Sequence, residues 1–403
     1  MSDHLKERWD MLILYWYTSP RTKGYFADAV EEYCDLVHHA EVKPQFHKRG
    51  KAGSLIKRAR FLKEQEIDAI IADSFGLPAL LMALQAKRLD IPVIIRIRGG
   101  MWGEFRDEIG VQPRWLRCLY AGYQERVRDR VLRLADSIFA VSVFGKSQLL
   151  YEIPELDSHK IRILYKPVDL ERFSHVPDGT LRQRLGLTPD SRILLTATNF
   201  NYYRKYQALL HYWDPILRLL NERRNWHFLV LGGGHDLEQF RKASRRRTPP
   251  HLDKRIHLTG FYPEIAEAMA DADVILYLSF RDMAPQVLKE AQAAGKPVVV
   301  NRSCGGTVEF IPRYEHGPSM IIEKTEDLFE TIEALADNQR LREEIGRENR
   351  SWAIEQYDVD QQARSFVEYV KSSVRAYNQT GSEPNSSRDL SHRSDKVAQV
   401  SRE

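Results

Sequence analysis

Cysteine is scarce in this chain. The 403 residues contain three cysteines, Cys34, Cys118 and Cys304, which are odd in number and far apart. Three cysteines are too few and odd in number for a disulfide framework, and they are too far apart for the closely spaced ligands of a zinc site. The thiols are therefore expected to be reduced, as is usual in a cytosolic protein.

Long apolar runs and a strong excess of one charge are absent as well. No window approaches 18 uninterrupted apolar residues, so no membrane span is predicted, and no signal-peptide core precedes the first strand-like run. Glycine and proline, at 22 and 18 residues, are too few for a fibre, and 43% hydrophobic residues are too many for a disordered chain. A net charge of +4 does not by itself indicate nucleic acid. The remaining expectation is a large soluble enzyme of two or three domains in the cytoplasm.

Short apolar runs alternate with helix-period segments along most of the chain. This alternation predicts right-handed crossovers in doubly wound parallel sheets, and its two runs predict two α/β domains. Turn-forming residues at 165–186 separate the two runs. The predicted strands are 11–17, 67–73, 93–97 and 137–143 in the first half, and 192–198, 227–231, 255–258, 274–279, 298–301 and 320–323 in the second.

A loop in the second half carries the clearest signal of a site. The strand at 274–279 is followed by Asp282 and then by Pro285, which suits the first position of a helix that ends at Gly295. Ligands of open α/β sheets bind at the carboxyl ends of strands, where the positive end of a helix dipole attracts anions. Glu290 lies about a turn and a half into this helix. That spacing does not suit a glycosidase-like carboxylate pair, so the two acids are expected to touch different parts of one elongated ligand.

Three further loops follow predicted strands of the same half. One contains Gly305 and Gly306, and another consists of the three glycines at 232–234; glycine lets a backbone approach a ligand closely. The third carries Arg204 and Lys205, two cations placed for a phosphate. Four such loops at one sheet edge predict a ligand that bears a diphosphate.

With these motifs the second half resembles the donor-binding domain of retaining glycosyltransferases of family 4, also called group 1. The family signature is an acid, seven residues and a Glu, within E-G-x-P-x-x-x-x-E-A-x-A-x-G-x-P-V-V. Here it reads D-M-A-P-Q-V-L-K-E-A-Q-A-A-G-K-P-V-V from Asp282 onward, and the G-G-x-x-E element follows at 305–309. Segments 135–142 and 164–173 match the family's lead-in to its domain linker. The resemblance covers residues 135–370 well and the first 130 loosely.

The resemblance implies a role for each matching residue. Asp282 would contact hydroxyls of the transferred sugar, Glu290 would hold the ribose hydroxyls, and Lys205 would neutralise the diphosphate. The helix that starts near Pro285 would stabilise the negative charge that develops on the departing nucleotide. The implied donor-binding residues are Arg204, Lys205, Gly233, Met283, Ala284, Pro285, Gln286, Glu290, Gly305, Gly306 and Glu309.

The sequence departs from the family pattern at several positions. Asp282 replaces the usual Glu, and Phe200 stands where an Arg is usual, so Arg204 is expected to supply the lost charge. Arg98 stands where the family has a histidine. The resemblance makes Arg98 the second predicted catalytic residue, facing the sugar beside Asp282. The alternative that Arg98 only pairs with an acid stays open.

The implied architecture is GT-B, in which two Rossmann-like domains face each other across a cleft. Residues 1–170 would bind the acceptor, 171–350 the nucleotide sugar, 351–377 would cross back to the N-terminal domain, and 378–403 would form a disordered tail. The implied reaction moves a sugar from a nucleotide diphosphate sugar to an acceptor hydroxyl with retention, without metal or cofactor. The acceptor would be a saccharide, a lipid-linked saccharide or a protein in the synthesis of cell-surface polysaccharide, glycolipid or glycoconjugate. A nucleotide-sugar epimerase and a catalytically silent sugar-nucleotide-binding protein remain as alternatives.

Charged segments outside these motifs have plainer interpretations. Five cations among residues 241–247 favour a solvated face. Segment 115–120 mixes aromatic and basic residues, and both a solvated face and peripheral contact with an anionic membrane stay open for it. Neither segment carries an RNA-binding signature, so no nucleic-acid partner is predicted. Asp271 and Asp273 form a D-x-D pair, but they precede a strand, so no metal site is predicted there.

Overall fold

Two parallel β-sheets with helices on both faces form the described part of the chain. The computed structural model describes residues 9–16, 25–38, 60–73, 76–97, 99, 113–174 and 178–380. Each sheet has six strands. The predicted fold class, two doubly wound α/β units, is therefore confirmed.

The first sheet has the strand order β2-β1-β3-β4-β5-β6. Every residue of its three central strands β3, β4 and β5 is buried, because helices cover both faces of a parallel sheet. The strands are β1 (Leu12–Trp16), β2 (Asp35–His38), β3 (Ala69–Ala72), β4 (Val93–Arg96), β5 (Ser137–Ala140) and β6 (Ile161–Ile163).

Sequence analysis missed β2 and β6, which are the two edges of this sheet. β2 begins with Asp35 and ends with His38, and in β6 only Ile161 is buried. An edge strand has one neighbour and is partly solvated, so it lacks the continuous apolar run that marks an interior strand.

Helices cover both faces of the first sheet. Met82, Val131 and Leu149 pack against one face, in a shared core with Ile70. Val30 packs against the other face. The helices are α1 (Tyr25–Glu31), which carries Val30, and α2 (Leu77–Arg88), α3 (Arg114–Leu134) and α4 (Val143–Glu152) on the opposite face.

The second sheet has the strand order β12-β11-β10-β7-β8-β9, and all six strands overlap predicted ones. They are β7 (Arg192–Ala197), β8 (Trp226–Leu231), β9 (Ile256–Gly260), β10 (Val274–Tyr277), β11 (Val298–Asn301) and β12 (Ile321–Ile322). The associated helices are α5 (Thr180–Arg184), α6 (Tyr203–His211), α7 (Trp213–Glu222), α8 (Leu237–Arg247), α9 (Ile265–Asp271), α10 (Gln286–Ala293), α11 (Asp327–Asp337) and α12 (Gln339–Tyr357). Among the helices described, none is long and apolar enough to cross a membrane.

The chain returns to the first sheet in the last helix that the structure describes, α13 (Val359–Thr380). Phe366 is fully buried there in one core with Ile13 and Phe139, and its ring lies 5.4 Å from that of Phe139. Because α13 ends at Thr380, the first three residues of the predicted tail are helical, and residues 381–403 lie outside the described part. The domain boundaries at 170 and 350 stay predictions.

Each sheet has one topological switch point, where the strand order reverses. It lies between β1 and β3 in the first sheet and between β7 and β10 in the second. Ligands of doubly wound sheets bind in the crevice outside the carboxyl ends of the strands at such points. The loops after β7 and β10 are therefore the first place to look for a site.

Candidate active site

A charged pair spans the switch point of the second sheet. Lys205 lies in the first turn of α6, and its Nζ is 2.7 Å from Oδ2 of Asp282 in the loop after β10. The hydroxyl of Tyr277, the last residue of β10, donates to the same oxygen at 2.5 Å. The structure thus brings together two side chains that the sequence placed in one donor site.

The Asp282 carboxyl is ionised by its surroundings in spite of its burial. Burial alone would raise its pKa. The Lys205 ammonium, together with hydrogen bonds from Lys205, Tyr277 and the Ala284 N–H, more than offsets this and holds the pKa below its usual value. The group is therefore a carboxylate at neutral pH and can accept hydrogen bonds from hydroxyl groups.

The paired glycines after β11 pack directly on the Asp282 loop. The Gly306 N–H donates to the Asp282 carbonyl at 3.1 Å, and Asp282 and Gly305 form a parallel β-bridge. A Cβ on Gly306 would lie 2.3 Å from the Met283 carbonyl oxygen, and one on Gly305 would lie 2.7 Å from the Phe144 ring. A side chain at Gly306 would separate the two loops, and one at Gly305 would displace Phe144 of α4.

The glycines after β8 make a similar approach to the loop after β7. A Cβ on Gly232 would lie 1.8 Å from the Thr198 carbonyl oxygen, and one on Gly234 would lie 2.4 Å from the Phe200 carbonyl carbon. Between them the Gly233 carbonyl accepts from the Phe200 N–H at 3.1 Å. Packing against this loop therefore accounts for glycine at 232 and 234.

These loops border a cleft of about 400 Å³, which is within the range of small-molecule sites. Of the predicted site residues, the catalytic Asp282 and the donor-binding Lys205 and Gln286 line it. The rings of Phe261 and Tyr262, which follow β9, give it an aromatic wall. The other lining residues are Ala197, Thr198, Asn199, Leu231, Gly232, Pro263, Ile265, Tyr277 and Val287.

Helix α10 begins at this cleft. Its first residue is Gln286, and Pro285 precedes it with extended backbone, so the helix starts one residue later than predicted. Met283, Ala284 and Pro285 are buried, and the Gln286 side chain donates to the Pro167 carbonyl at 3.0 Å. The unpaired N–H groups at this helix start supply positive potential beside Asp282.

Glu290 and Arg204 lie outside the cleft lining. Burial raises the pKa of Glu290, although Lys289 and Arg172 act in the opposite direction. Arg204 is exposed beside Lys205. Phe200 is fully buried, with its ring 4.9 Å from that of Phe240, so the position where a family arginine is usual belongs to the core here. The donor contacts of Glu290 and Arg204 stay predictions.

Glu309 connects the two domains. Its Oε1 accepts from the Val143 N–H at 2.8 Å, and its Oε2 accepts from the Phe144 N–H at 3.2 Å, both at the start of α4. The Tyr165 hydroxyl donates to Oε1 at 3.0 Å. The carboxyl edges of the two sheets therefore face each other, and this carboxylate caps a helix of the N-terminal domain. Its predicted donor contact stays a prediction.

Arg98 lies outside the described residues, but Arg96 is described and buried. Arg96 donates to the Tyr15 hydroxyl at 2.7 Å, and that hydroxyl donates to Asp73 at 3.0 Å. Burial raises the pKa of Tyr15 to about 12, with Asp73 adding to the effect and Arg96 opposing it. This hydrogen-bonded group lies at the switch point of the first sheet.

Several cleft residues were missed by sequence reasoning, among them the side chains of Tyr277, Phe261 and Tyr262. Tyr277 ends an otherwise aliphatic strand five residues before Asp282, and a single polar residue at a strand end was the available signal. Phe261 and Tyr262 directly follow Gly260, at the end of β9, a strand end that sequence reasoning passed over. These residues could have been found by treating the end of every strand in the second half of the chain as part of one ligand-binding edge.

Asp271 and Asp273 lie at the opposite, amino edge of the sheet. Asp271 accepts from the Gly179 and Leu181 N–H groups at 3.0 and 2.9 Å. Asp273 pairs with Arg182 at 3.0 Å. Both carboxylates therefore hold helix α5 against the sheet.

Two family matches cover both halves of the chain. The family described as Glycosyl transferases group 1 matches residues 191–338, and that described as Glycosyltransferase Family 4 matches residues 1–172. The chain belongs to the group 1, or family 4, glycosyltransferases. As a glycosyltransferase it is an enzyme, as predicted.

Relatives of this glycosyltransferase agree in fold and differ in their named reactions. N-acetyl-alpha-D-glucosaminyl L-malate synthase of Bacillus anthracis is 23% identical over 304 residues, 75% of this chain and 74% of that protein. HepE of Anabaena in complex with UDP superposes with a TM-score of 0.69 at 16% identity, over 90% of this chain and 100% of that one; it is also known with UDP-glucose. WaaG, described as a glycosyltransferase involved in lipopolysaccharide biosynthesis, has a TM-score of 0.60 at 13% identity. The match covers 89% of this chain and 99% of that one. These likenesses confirm the predicted GT-B fold.

Proposed function

We propose that this glycosyltransferase moves a sugar from a nucleotide diphosphate sugar to an acceptor hydroxyl with retention of configuration. The observation that carries the proposal is the Lys205–Asp282 pair in the cleft at the switch point, beside the start of α10. A cation, a carboxylate and a helix N-terminus match the diphosphate and the sugar hydroxyls of such a donor.

Donor binding would exchange the partners of this pair. The diphosphate attracts the Lys205 ammonium and the N–H groups at the start of α10, and it thereby releases the Asp282 carboxylate to accept from a sugar hydroxyl. Phe261 and Tyr262 offer flat faces for the nucleobase at the other end of the cleft. Complexes of the similar protein HepE with UDP and UDP-glucose support uridine nucleotides as the first probes.

The chemical step follows from these placements and from the family resemblance. The bond between the anomeric carbon and the phosphate oxygen breaks, and its electron pair stays on the phosphate, where Lys205 and α10 stabilise it. The acceptor hydroxyl attacks the oxocarbenium-like centre from the same face and gives its proton to the departing phosphate. This route places the charge stabilisation on protein groups, so we propose that no metal is needed.

The acceptor is proposed to be a saccharide, a lipid-linked saccharide or a protein, in cell-surface polysaccharide, glycolipid or glycoconjugate synthesis. The similar protein WaaG is named for lipopolysaccharide biosynthesis, which supports this class.

Substitution of the pair tests the proposal. Lys205→Ala should weaken the stabilisation by UDP in thermal unfolding, and Asp282→Ala should lower kcat with UDP-glucose roughly a hundredfold. Lys242→Ala, which removes an exposed cation of α8, is the matched control and should leave both unchanged. The anomeric proton coupling of the product reports retention, and activity should persist in EDTA.

Four results would contradict the proposal in different ways. Full activity in both variants would remove the site assignment. Inversion at the anomeric carbon would contradict retention of configuration. Loss of activity in EDTA, with recovery in magnesium, would contradict the proposal that no metal is needed. Epimerisation of the donor without any acceptor would indicate the epimerase alternative.

A further inference from the structure

The surface of helices α2 and α3 is unusually apolar for a solvent-facing layer. Of the eleven large apolar side chains that are exposed in the described part of the chain, six lie on these two helices. Trp115 and Leu119 are 74% and 70% exposed. We call this surface the docking face; its members are Leu77, Leu81, Leu84, Trp115, Leu119 and Tyr123.

The spacing of these residues puts them on one side of each helix. In α2 the exposed leucines recur at intervals of four and three residues, and in α3 the exposed side chains recur every four. Residues at such intervals share one helix face. Both helices contribute to the same core on the same side of the first sheet, so their outer faces lie side by side.

In the first half of α3, the side chains that the structure describes are exposed or half-buried. Among the described side chains of this helix, Val131 and Leu132 join the shared core and Leu134 packs against it, all in the second half. The first twelve residues extend about 18 Å at 1.5 Å per residue. Because α3 ends just before β5 begins, its first half lies toward the carboxyl edge of the sheet, the edge at which Glu309 contacts α4.

On each helix, exposed arginines follow the exposed apolar side chains along the same face. They are Arg88 on α2, and Arg126 and Arg130 on α3. Each helix is therefore apolar toward the carboxyl edge and positive toward the amino edge. An apolar tip followed by arginines suits an interface in which hydrocarbon meets a layer of negative charge.

We propose that the docking face binds the surface of an anionic lipid bilayer. The apolar side chains would enter the region between headgroups and acyl chains, and Arg88, Arg126 and Arg130 would meet the lipid phosphates. A second copy of the chain fits less well, because a symmetric pair would set the arginines of each copy against the arginines or the apolar side chains of the other, and neither offers them negative charge. The bound enzyme would hold the acceptor side of its cleft near the bilayer, within reach of a lipid-linked acceptor.

The experiment is cosedimentation of the full chain with phosphatidylcholine vesicles, with and without phosphatidylglycerol. We expect binding to the anionic vesicles, weakened by salt. Trp115→Ser with Leu119→Ser should weaken it roughly tenfold or more. Arg126→Glu with Arg130→Glu should abolish the preference for phosphatidylglycerol. All these positions are exposed, and thermal unfolding checks that each variant folds.

Matched controls distinguish binding through the docking face from nonspecific adsorption through other exposed apolar or basic residues. Tyr151→Ser with Ile354→Ser removes exposed apolar groups on α4 and α12. Arg245→Glu with Arg246→Glu reverses exposed charges in the other basic segment, on α8. Both controls should bind vesicles as the parent chain does.

Several outcomes would overturn the proposal. They are absence of vesicle binding, equal binding by the Trp115/Leu119 variant, equal losses in the controls, and a dimer in solution that the Trp115/Leu119 variant abolishes. The last would make the docking face a contact between copies. No donor or acceptor is present in this assay, so its result is independent of the proposed reaction.

Discussion

Lys289 is a fully buried cation-forming side chain next to Glu290 in the signature segment. Its Nζ donates to the Lys166 carbonyl at 2.7 Å, and the centre of the Tyr357 ring is 5.4 Å away. Burial, with the nearby Lys166 charge, lowers the pKa of Lys289 well below its usual 10.5. The side chain thus joins α10 to the segment 165–186 between the two halves of the chain.

This pKa predicts a pH dependence of stability. Between the folded-state pKa of Lys289 and 10.5, the unfolded chain holds a proton that the folded chain lacks. Stability should therefore fall as the pH is lowered through that window, by up to about 1.4 kcal/mol per pH unit. Lys289→Met, which keeps the length and removes the proton site, should lose that part of the slope. Urea unfolding of both chains across the window is the measurement, and identical slopes would contradict the prediction.

The positions of the site residues at strand ends were easier to predict than the residues that they contact. The sequence placed Asp282 and Lys205 at strand ends of one sheet, because strand ends follow from apolar runs. It did not show that Tyr277 would share the Asp282 carboxylate, or that Glu309 would turn to the backbone of α4. Those contacts depend on how loops approach each other in space, which spacing along the chain does not encode.

At the scale of elements, α10 and α12 approach each other through two glycines. A Cβ on Gly346 of α12 would lie 2.2 Å from the carbonyl oxygen of Gly295, at the end of α10. Gly295 itself has φ +66°, a value that favours glycine. At this contact the backbones of the two helices meet directly, and no flexible side chain lies between them that could move aside. The contact therefore fixes the distance between the two helices.

Gly346→Ala should destabilise the protein by about 1–3 kcal/mol, the usual range for overpacking a tight contact. The matched control is Gly122→Ala in the exposed half of α3, where a Cβ would meet nothing within 4 Å. There alanine should stabilise the helix by about 0.5–1 kcal/mol. Denaturant unfolding measures both, and a neutral Gly346→Ala would show that the two helices can separate without cost.

Strands were predictable where they carry enough apolar residues. This holds for the interior strands of the first sheet and for all six strands of the second, although its edge strands β9 and β12 are only partly buried. The edge strands β2 and β6 were missed because Asp35 and His38 in β2, and Arg162 in β6, interrupt the apolar pattern.

At the scale of the whole molecule, Glu309 fastens one domain to the other. Glu309→Ala would leave the N–H groups of Val143 and Phe144 without their carboxylate partner. Removing the capping side chain of a helix typically lowers stability by about 1 kcal/mol. We expect the domains to open more often, with a larger radius of gyration in X-ray scattering and weaker donor binding. Glu238→Ala, which removes an exposed carboxylate paired with Arg241 on α8, is the control and should change neither. An unchanged radius of gyration in Glu309→Ala would show that the domains stay together by other contacts.

The return of the chain in α13 affects how the protein is made. All strands of the first sheet are synthesised by residue 163, yet Phe366 and Val370, which cover one of its faces beside Ile13 and Phe139, come some two hundred residues later. During synthesis the growing N-terminal half therefore waits with that face incompletely covered while the whole second domain emerges. The first domain to be made is the last to be completed.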